Sequence, residues 1–142
     1  MAGYYFAYGS NMNFAQMRTR CPQSRFVRRA TLRGYSFVYD GFSKSRKGAV
    51  ANIIECEGGI VWGGVFEIDE DCLKKLDSCE NYPNSYDRKH LDVQADSGDT
   101  FNAIAYFRIG RKPGKPSSAY RQIVIQGARD CGLPEKYIEE YL

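Results

Sequence analysis

Hydrophobic and polar positions alternate along most of this chain, and only a few stretches show the three-to-four spacing of a helix. Residues 4–8 are a short aromatic run bounded by Gly3 and Gly9, the pattern of a buried first strand. Asn11 or Asn13 can cap a short helix that reaches about Arg20 and is closed by Pro22. In 30–42, Leu32, Tyr35, Phe37 and Tyr39 mark a half-buried strand, and 43–48 reads as a basic loop. Residues 49–56 and 60–68 flank Glu57-Gly58-Gly59, which predicts a tight hairpin. Asp69 is placed to cap a helix that turns Cys72, Leu73 and Leu76 inward and ends near Cys79. After a Pro- and Asn-rich turn at 81–85, residues 86–95 and 100–109 alternate around Asp96-Ser97-Gly98-Asp99, a second hairpin. A basic Pro/Gly loop at 111–116 leads to a helix over 117–131, ended by Gly132, and Pro134 opens a last turn. About six strands with a few helices between them predict a mixed α+β domain on one curved, barrel-like, mostly antiparallel sheet. Strict βαβ alternation is missing, so a doubly wound parallel sheet is not expected.

Composition narrows the class of molecule. The chain has 142 residues, 43% apolar and 26% charged, which fits one globular domain over 1–142 and excludes a disordered or fibrous chain. No apolar run approaches the ~18–20 residues of a membrane span, and the N-terminal residues lack the basic region of a secretory signal. Five cysteines (Cys21, Cys56, Cys72, Cys79, Cys131) are an odd number without a C-x-x-C pair. Neither a disulfide framework nor a zinc knuckle is expected, and a reduced, cytoplasmic protein is. The net charge of +3 hides an asymmetry, because residues 1–50 carry nine bases against one acid, Asp40. Such a basic half suits an acidic small molecule, a nucleic acid, or simple solvation.

Several familiar sites fail on spacing. Gly110 to Ser117 imitates a phosphate loop but has three residues between its glycines, and Pro116 separates Lys115 from Ser117. The single histidine, His90, sits in an alternating strand, so a Cys–His pair or a histidine metal site has no local support. Acid–base work therefore falls to carboxylates, tyrosines or lysines. Two features remain. In Tyr5-Phe6-Ala7-Tyr8-Gly9-Ser10-Asn11-Met12 an aromatic strand stops at Gly9 and gives way to a polar pair opening a helix. Unpaired N–H groups there can converge on an anion or a developing oxyanion, although many ordinary strand-to-helix turns look the same. Glu80 falls one helical turn beyond Leu76, on the inward face, where desolvation would raise its pKa toward a general base. The competing reading is an exposed glutamate at a helix end.

Together these segments resemble the γ-glutamylcyclotransferase-like family, which includes the plant AIG2-like proteins. The resemblance runs through three ordered blocks: 5–12; then Val61-Trp62-Gly63-Gly64-Val65 with Leu76-Asp77-Ser78-Cys79-Glu80 and Tyr86-Asp87-Arg88; then Pro116 to Tyr120, Gly127-Ala128-Arg129 and Gly132-Leu133-Pro134. The last block is closer to the glutamyl-cyclotransferase branch. Asn81 departs from the pattern, since many relatives carry Gly after the glutamate, and this bears on acceptor preference. The resemblance implies a cofactor-free and metal-free reaction in which the α-amine of a γ-glutamyl group attacks its own side-chain amide and releases 5-oxoproline and an amine. It assigns Glu80 as acid/base, Tyr5, Phe6, Ala7, Tyr8, Gly9, Ser10 and Asn11 as the segment that binds the glutamyl group, and Tyr120, with Tyr86, as lining residues. The partner it implies is a small γ-glutamyl compound, with no membrane or nucleic acid, for a monomer or homodimer. A binding module without turnover and a basic nucleic-acid-binding protein are the alternatives.

Overall fold

The computed structural model describes residues 3–142. Its sheet is a closed barrel of five strands: β1 (Gly3–Ala7), β2 (Arg25–Ser43), β3 (Gly48–Ile68), β4 (Asp87–Ala95) and β5 (Thr100–Phe107), in the order β1-β3-β2-β4-β5. Every pairing is antiparallel except the one that closes the barrel, where β1 runs parallel to β5 through Tyr4↔Ala103 and Tyr5↔Ile104. Among the described residues four α-helices complete the α+β fold: α1 (Phe14–Arg20), α2 (Glu70–Cys79), α3 (Ser118–Asp130) and α4 (Glu135–Tyr141). Phe6, Ile53, Val61, Val65 and Val93 from the strands meet Met12, Met17, Leu76 and Val124 in the fully buried core.

Two expectations need correction. Residues 49–56 and 60–68 are not a hairpin; they are one strand, β3, which pairs with β2 along its length. The register jumps from Arg33↔Ile60 to Tyr35↔Glu55, so residues 56–59 bulge opposite Gly34. A Cβ on Gly59 would lie 2.3 Å from the Tyr35 carbonyl oxygen, so glycine is needed there for close passage of two strands. A Gly-Gly between alternating runs has the same local signature for a turn and for a bulge. The strand count is therefore five among the described residues. The cysteines are the second correction. Cys21, which ends α1, and Cys72, in the first turn of α2, are joined by a disulfide with Cα atoms 5.3 Å apart, leaving Cys56, Cys79 and Cys131 free. Their partnership arises from two helix ends 51 positions apart in sequence, which no spacing rule anticipates.

Two caps place the elements that matter for the site. The Asn13 side chain accepts from Gln16 N and starts α1, and the Asp69 side chain accepts from Cys72 N and starts α2. Between β1 and α1 the chain makes a short 3-10 turn, Ser10–Met12, against which α3 is pressed. Asn13 Nδ2 donates to Ile123 O, and Phe14 N donates to the Asp130 carboxylate, so α3 fixes the chain just after this turn.

Candidate active site

Where β1 ends, a small cavity of about 40 Å³ opens beside the 3-10 turn. Its walls come from distant parts of the chain: Tyr5, Tyr8, Gly9, Ser10 and Asn11 from the first segment, Ala51 from β3, and Glu80 from the end of α2. Tyr86, Tyr106 and Tyr120 complete it. The tyrosines are locked by their hydroxyls. Tyr8 Oη donates to Tyr106 O at 2.7 Å, and Tyr5 Oη accepts from Asn11 Nδ2 at 3.0 Å. Tyr120 Oη accepts from Ala51 N at 3.0 Å, while Tyr86 Oη donates to Ala51 O at 2.7 Å. A single residue of β3 thus holds both tyrosines, and a Cβ on Gly9 would come within 2.9 Å of the Ala51 methyl. Burial pushes all four of these phenols up, so they stay protonated near neutrality.

Glu80 sits at the seam between this cavity and a larger one. It follows α2 directly, and its N–H donates to Leu76 O at 2.9 Å, which carries the helical direction one residue further. The residue is half-buried. Desolvation raises its pKa above the ordinary carboxyl value, while Arg20, Arg108 and Arg46 pull it back down. Its carboxylate makes no hydrogen bond among the described residues, so its proton-accepting oxygens are not committed to the fold.

The larger cavity, about 340 Å³, shares Ser10, Glu80, Tyr86 and Tyr120 with the inner one and adds Arg20, Arg46, Arg108 and Arg111. Arg108 is the best anchored of these. One of its terminal nitrogens donates to both the carbonyl and the carboxylate of Asp40, and its guanidinium lies 4.7 Å from the Tyr86 ring centroid. Asp40, itself buried, also accepts from Asn52 Nδ2 and Arg111 N. Arg46 donates to Gln16 Oε1 and stacks 5.1 Å from the Tyr120 ring, and Arg20 donates to Asn11 Oδ1.

The structure brings together Tyr5, Tyr8, Gly9, Ser10, Asn11, Glu80, Tyr86 and Tyr120 around one space. Phe6 and Ala7 lie outside both cavities; each is in the core, with Phe6 fully covered. Sequence reading missed Ala51, Tyr106 and the individual arginines. One signal was present, since Asp40 is the lone acid among the first fifty residues and proves to be buried. Among the described residues, no group of three or more His, Cys, Asp or Glu is placed to hold a metal ion. No helix there is long and apolar enough to cross a membrane.

The family model for gamma-glutamyl cyclotransferase, AIG2-like, matches residues 5–123, a span that contains every residue of both cavities. The chain belongs to this family. Over 141 residues it is 28% identical to the gamma-glutamylcyclotransferases of Homo sapiens and Mus musculus, covering 96% of this chain and 75% of each relative. A solved gamma-glutamyl cyclotransferase superposes with a TM-score of 0.93 at 27% identity, over 99% of this chain and 86% of its own. YkqA from Bacillus subtilis superposes with a TM-score of 0.84 at 25% identity, where this chain spans 52% of that protein. Cyclotransferase family membership therefore accounts for the barrel, and these relatives bear an enzyme's name.

Proposed function

We propose that the protein is a γ-glutamylcyclotransferase that converts a γ-glutamyl amide to 5-oxoproline and a free amine, with Glu80 as its acid/base. The observation that carries this reading is the position of Glu80: a desolvated carboxylate without a hydrogen-bond partner, where a small tyrosine-walled cavity meets a larger arginine-lined one. The glutamyl group enters the inner cavity, and the amine to be released stays in the outer one. Glu80 takes a proton from the substrate's α-ammonium group. The freed nitrogen attacks the γ-carbonyl carbon, and the carbonyl oxygen gathers negative charge. The N–H groups of Ser10 and Asn11 precede the turn's first hydrogen bond, from Met12 N to Gly9 O at 3.1 Å, and suit that charge. As the old C–N bond breaks, Glu80 gives that proton to the departing nitrogen. It then takes the second proton from the ring nitrogen and passes it to the freed amine, so a lactam N–H and an ammonium result, the carboxylate is regenerated and no water is consumed.

Intramolecular attack supplies much of the acceleration, since good orientation is worth roughly 7–11 kcal/mol. The buried Tyr5, Tyr8, Tyr86 and Tyr120 serve that orientation, as their hydroxyls are fixed before substrate arrives. The arginines around Glu80 favour its ionised form and so counter the burial that favours the proton. A substrate of this size and charge also uses the basic residues more economically than a nucleic acid does, because four of them line one cavity.

The test is incubation of the protein with a γ-glutamyl compound, its N-acetyl derivative and its α-linked isomer, followed by identification of the acid released. The first should yield 5-oxoproline and the other two nothing, because an acylated nitrogen is a poor nucleophile and the isomer cannot close the five-membered ring with loss of the same amine. Glutamate as the main product, or cleavage of the N-acetyl compound, would defeat the mechanism.

A further inference from the structure

The two cavities differ sharply in charge. The inner one holds a single carboxylate, Glu80, and no Lys or Arg. The outer one holds four arginines facing that one acid. Arg108 has its own carboxylate, Asp40, behind it. Arg20, Arg46 and Arg111 have none within ion-pairing distance among the described residues: Arg20 and Arg46 are steadied by amide oxygens, and Arg111 is bound only through its backbone N–H. Arg108 also keeps one terminal nitrogen buried without a hydrogen-bond partner, in a side chain only 8% exposed. A buried guanidinium donor left unmade costs free energy unless a ligand completes it.

Fold stability alone gives no reason to gather these groups. Unpaired guanidiniums in one cavity repel each other and pull Glu80 toward ionisation; a ligand with several carboxylates answers both the excess charge and the open donors. A γ-glutamyl compound brings one carboxylate on the glutamyl α-carbon. Even where that carboxylate reaches from the inner cavity across the seam to one arginine, two of the three unpaired arginines, with the free Arg108 nitrogen, remain for the other end of the molecule. An outer cavity of about 340 Å³ holds a group of amino-acid size.

Resting on the cyclotransferase reading, we propose that the arginine-lined cavity selects the leaving amine for negative charge, and that preferred substrates release an acidic amino acid or an acidic peptide. Arg46 and Arg111 are the specificity-determining residues, and Arg108, fixed by Asp40, supplies the buried end of the anion site. Planar two-pronged donors match carboxylates, so geometry and charge act together.

The experiment compares γ-glutamyl-L-glutamate, γ-glutamyl-L-alanine and γ-glutamyl-ethylamide, whose leaving amines carry two, one and no carboxylates. Release of 5-oxoproline is measured for the parent protein and for the double variant Arg46→Gln, Arg111→Gln. Binding of the same three compounds to Glu80→Gln is measured by calorimetry, which needs no chemistry. In the parent, kcat/KM should rise about tenfold or more with each carboxylate, the range of one charge-assisted hydrogen bond. The rise should shrink as salt is added, and the double variant should lose at least about tenfold of the preference for glutamate over alanine. Equal or reversed preference in the parent overturns the proposal. If no compound is turned over, the cyclotransferase reading fails, and the binding order decides: affinity graded by charge upholds the anion cavity, and charge-blind or absent binding overturns it.

Discussion

Two opposing influences meet on the Glu80 carboxyl group, since desolvation holds its proton on while three guanidiniums draw it off. The first prevails, so the folded protein keeps this proton to higher pH than the unfolded chain, and folding loses stability as pH climbs from the ordinary glutamate value through the raised one. Glu80→Gln removes that loss. It should melt above the parent at neutral pH while turnover falls at least about 100-fold, the usual scale of general acid–base catalysis; calorimetry and 5-oxoproline release check the two halves. The acid limb of kcat/KM in the parent should lie above the ordinary carboxyl range, because the reaction starts from ionised Glu80. Asp40 makes a different demand. Its carboxylate takes the Arg108 guanidinium, Asn52 Nδ2 and Arg111 N in a buried site, so Asp40→Ala leaves a cation stranded. A loss of about 3–5 kcal/mol is expected in denaturant unfolding. Glu80 was legible in sequence because i, i+4 spacing from Leu76 is a local rule. Arg108 was not, since its meaning depends on a partner 68 positions away.

Helix α3 reaches the site by close approach rather than by long side chains. A Cβ on Gly127 would lie 2.3 Å from Asn13 N and 2.6 Å from Met12 C, both backbone atoms that cannot step aside. Gly127→Ala must therefore push α3 off the turn that presents Ser10 and Asn11. About 1–3 kcal/mol of stability should go, as for other overpacked sites, and activity should fall with it; a melt and an assay on the same sample read both. The helices themselves were visible in sequence: Asp69 caps α2 as expected, and the helix read over 117–131 is α3, where Ser117 proves to be the cap, each with a side-chain bond to the backbone. The long ribbon of β2 and β3 was not. Its bulge at 56–59 lies opposite Gly34, with Gly59 passing close to the Tyr35 carbonyl, and a one-dimensional pattern holds no record of what lies across.

At the scale of the molecule, the Cys21–Cys72 bridge ties α1 to α2, and so ties the helix bearing Arg20 to the one that ends at Glu80. Denaturation without reductant should expose three thiols, and only Cys56 and Cys79 should react quickly in the native state. Five thiols after denaturation would show the two sulfurs unbridged. Cys72→Ala should cost about 2–5 kcal/mol relative to the bridged parent in thermal unfolding. The closing seam of the barrel has a consequence in time. β1 pairs with β5, where Tyr4 meets Ala103, and Tyr120 lies further on still. A ribosome adding about 5–20 residues per second releases β1 several seconds before β5 exists. Through that interval the nascent chain carries an aromatic strand with an edge that nothing yet covers, open to other nascent chains as readily as to its own. Faster translation of the stretch between them shortens that exposure, so the yield of folded protein should follow the speed of synthesis.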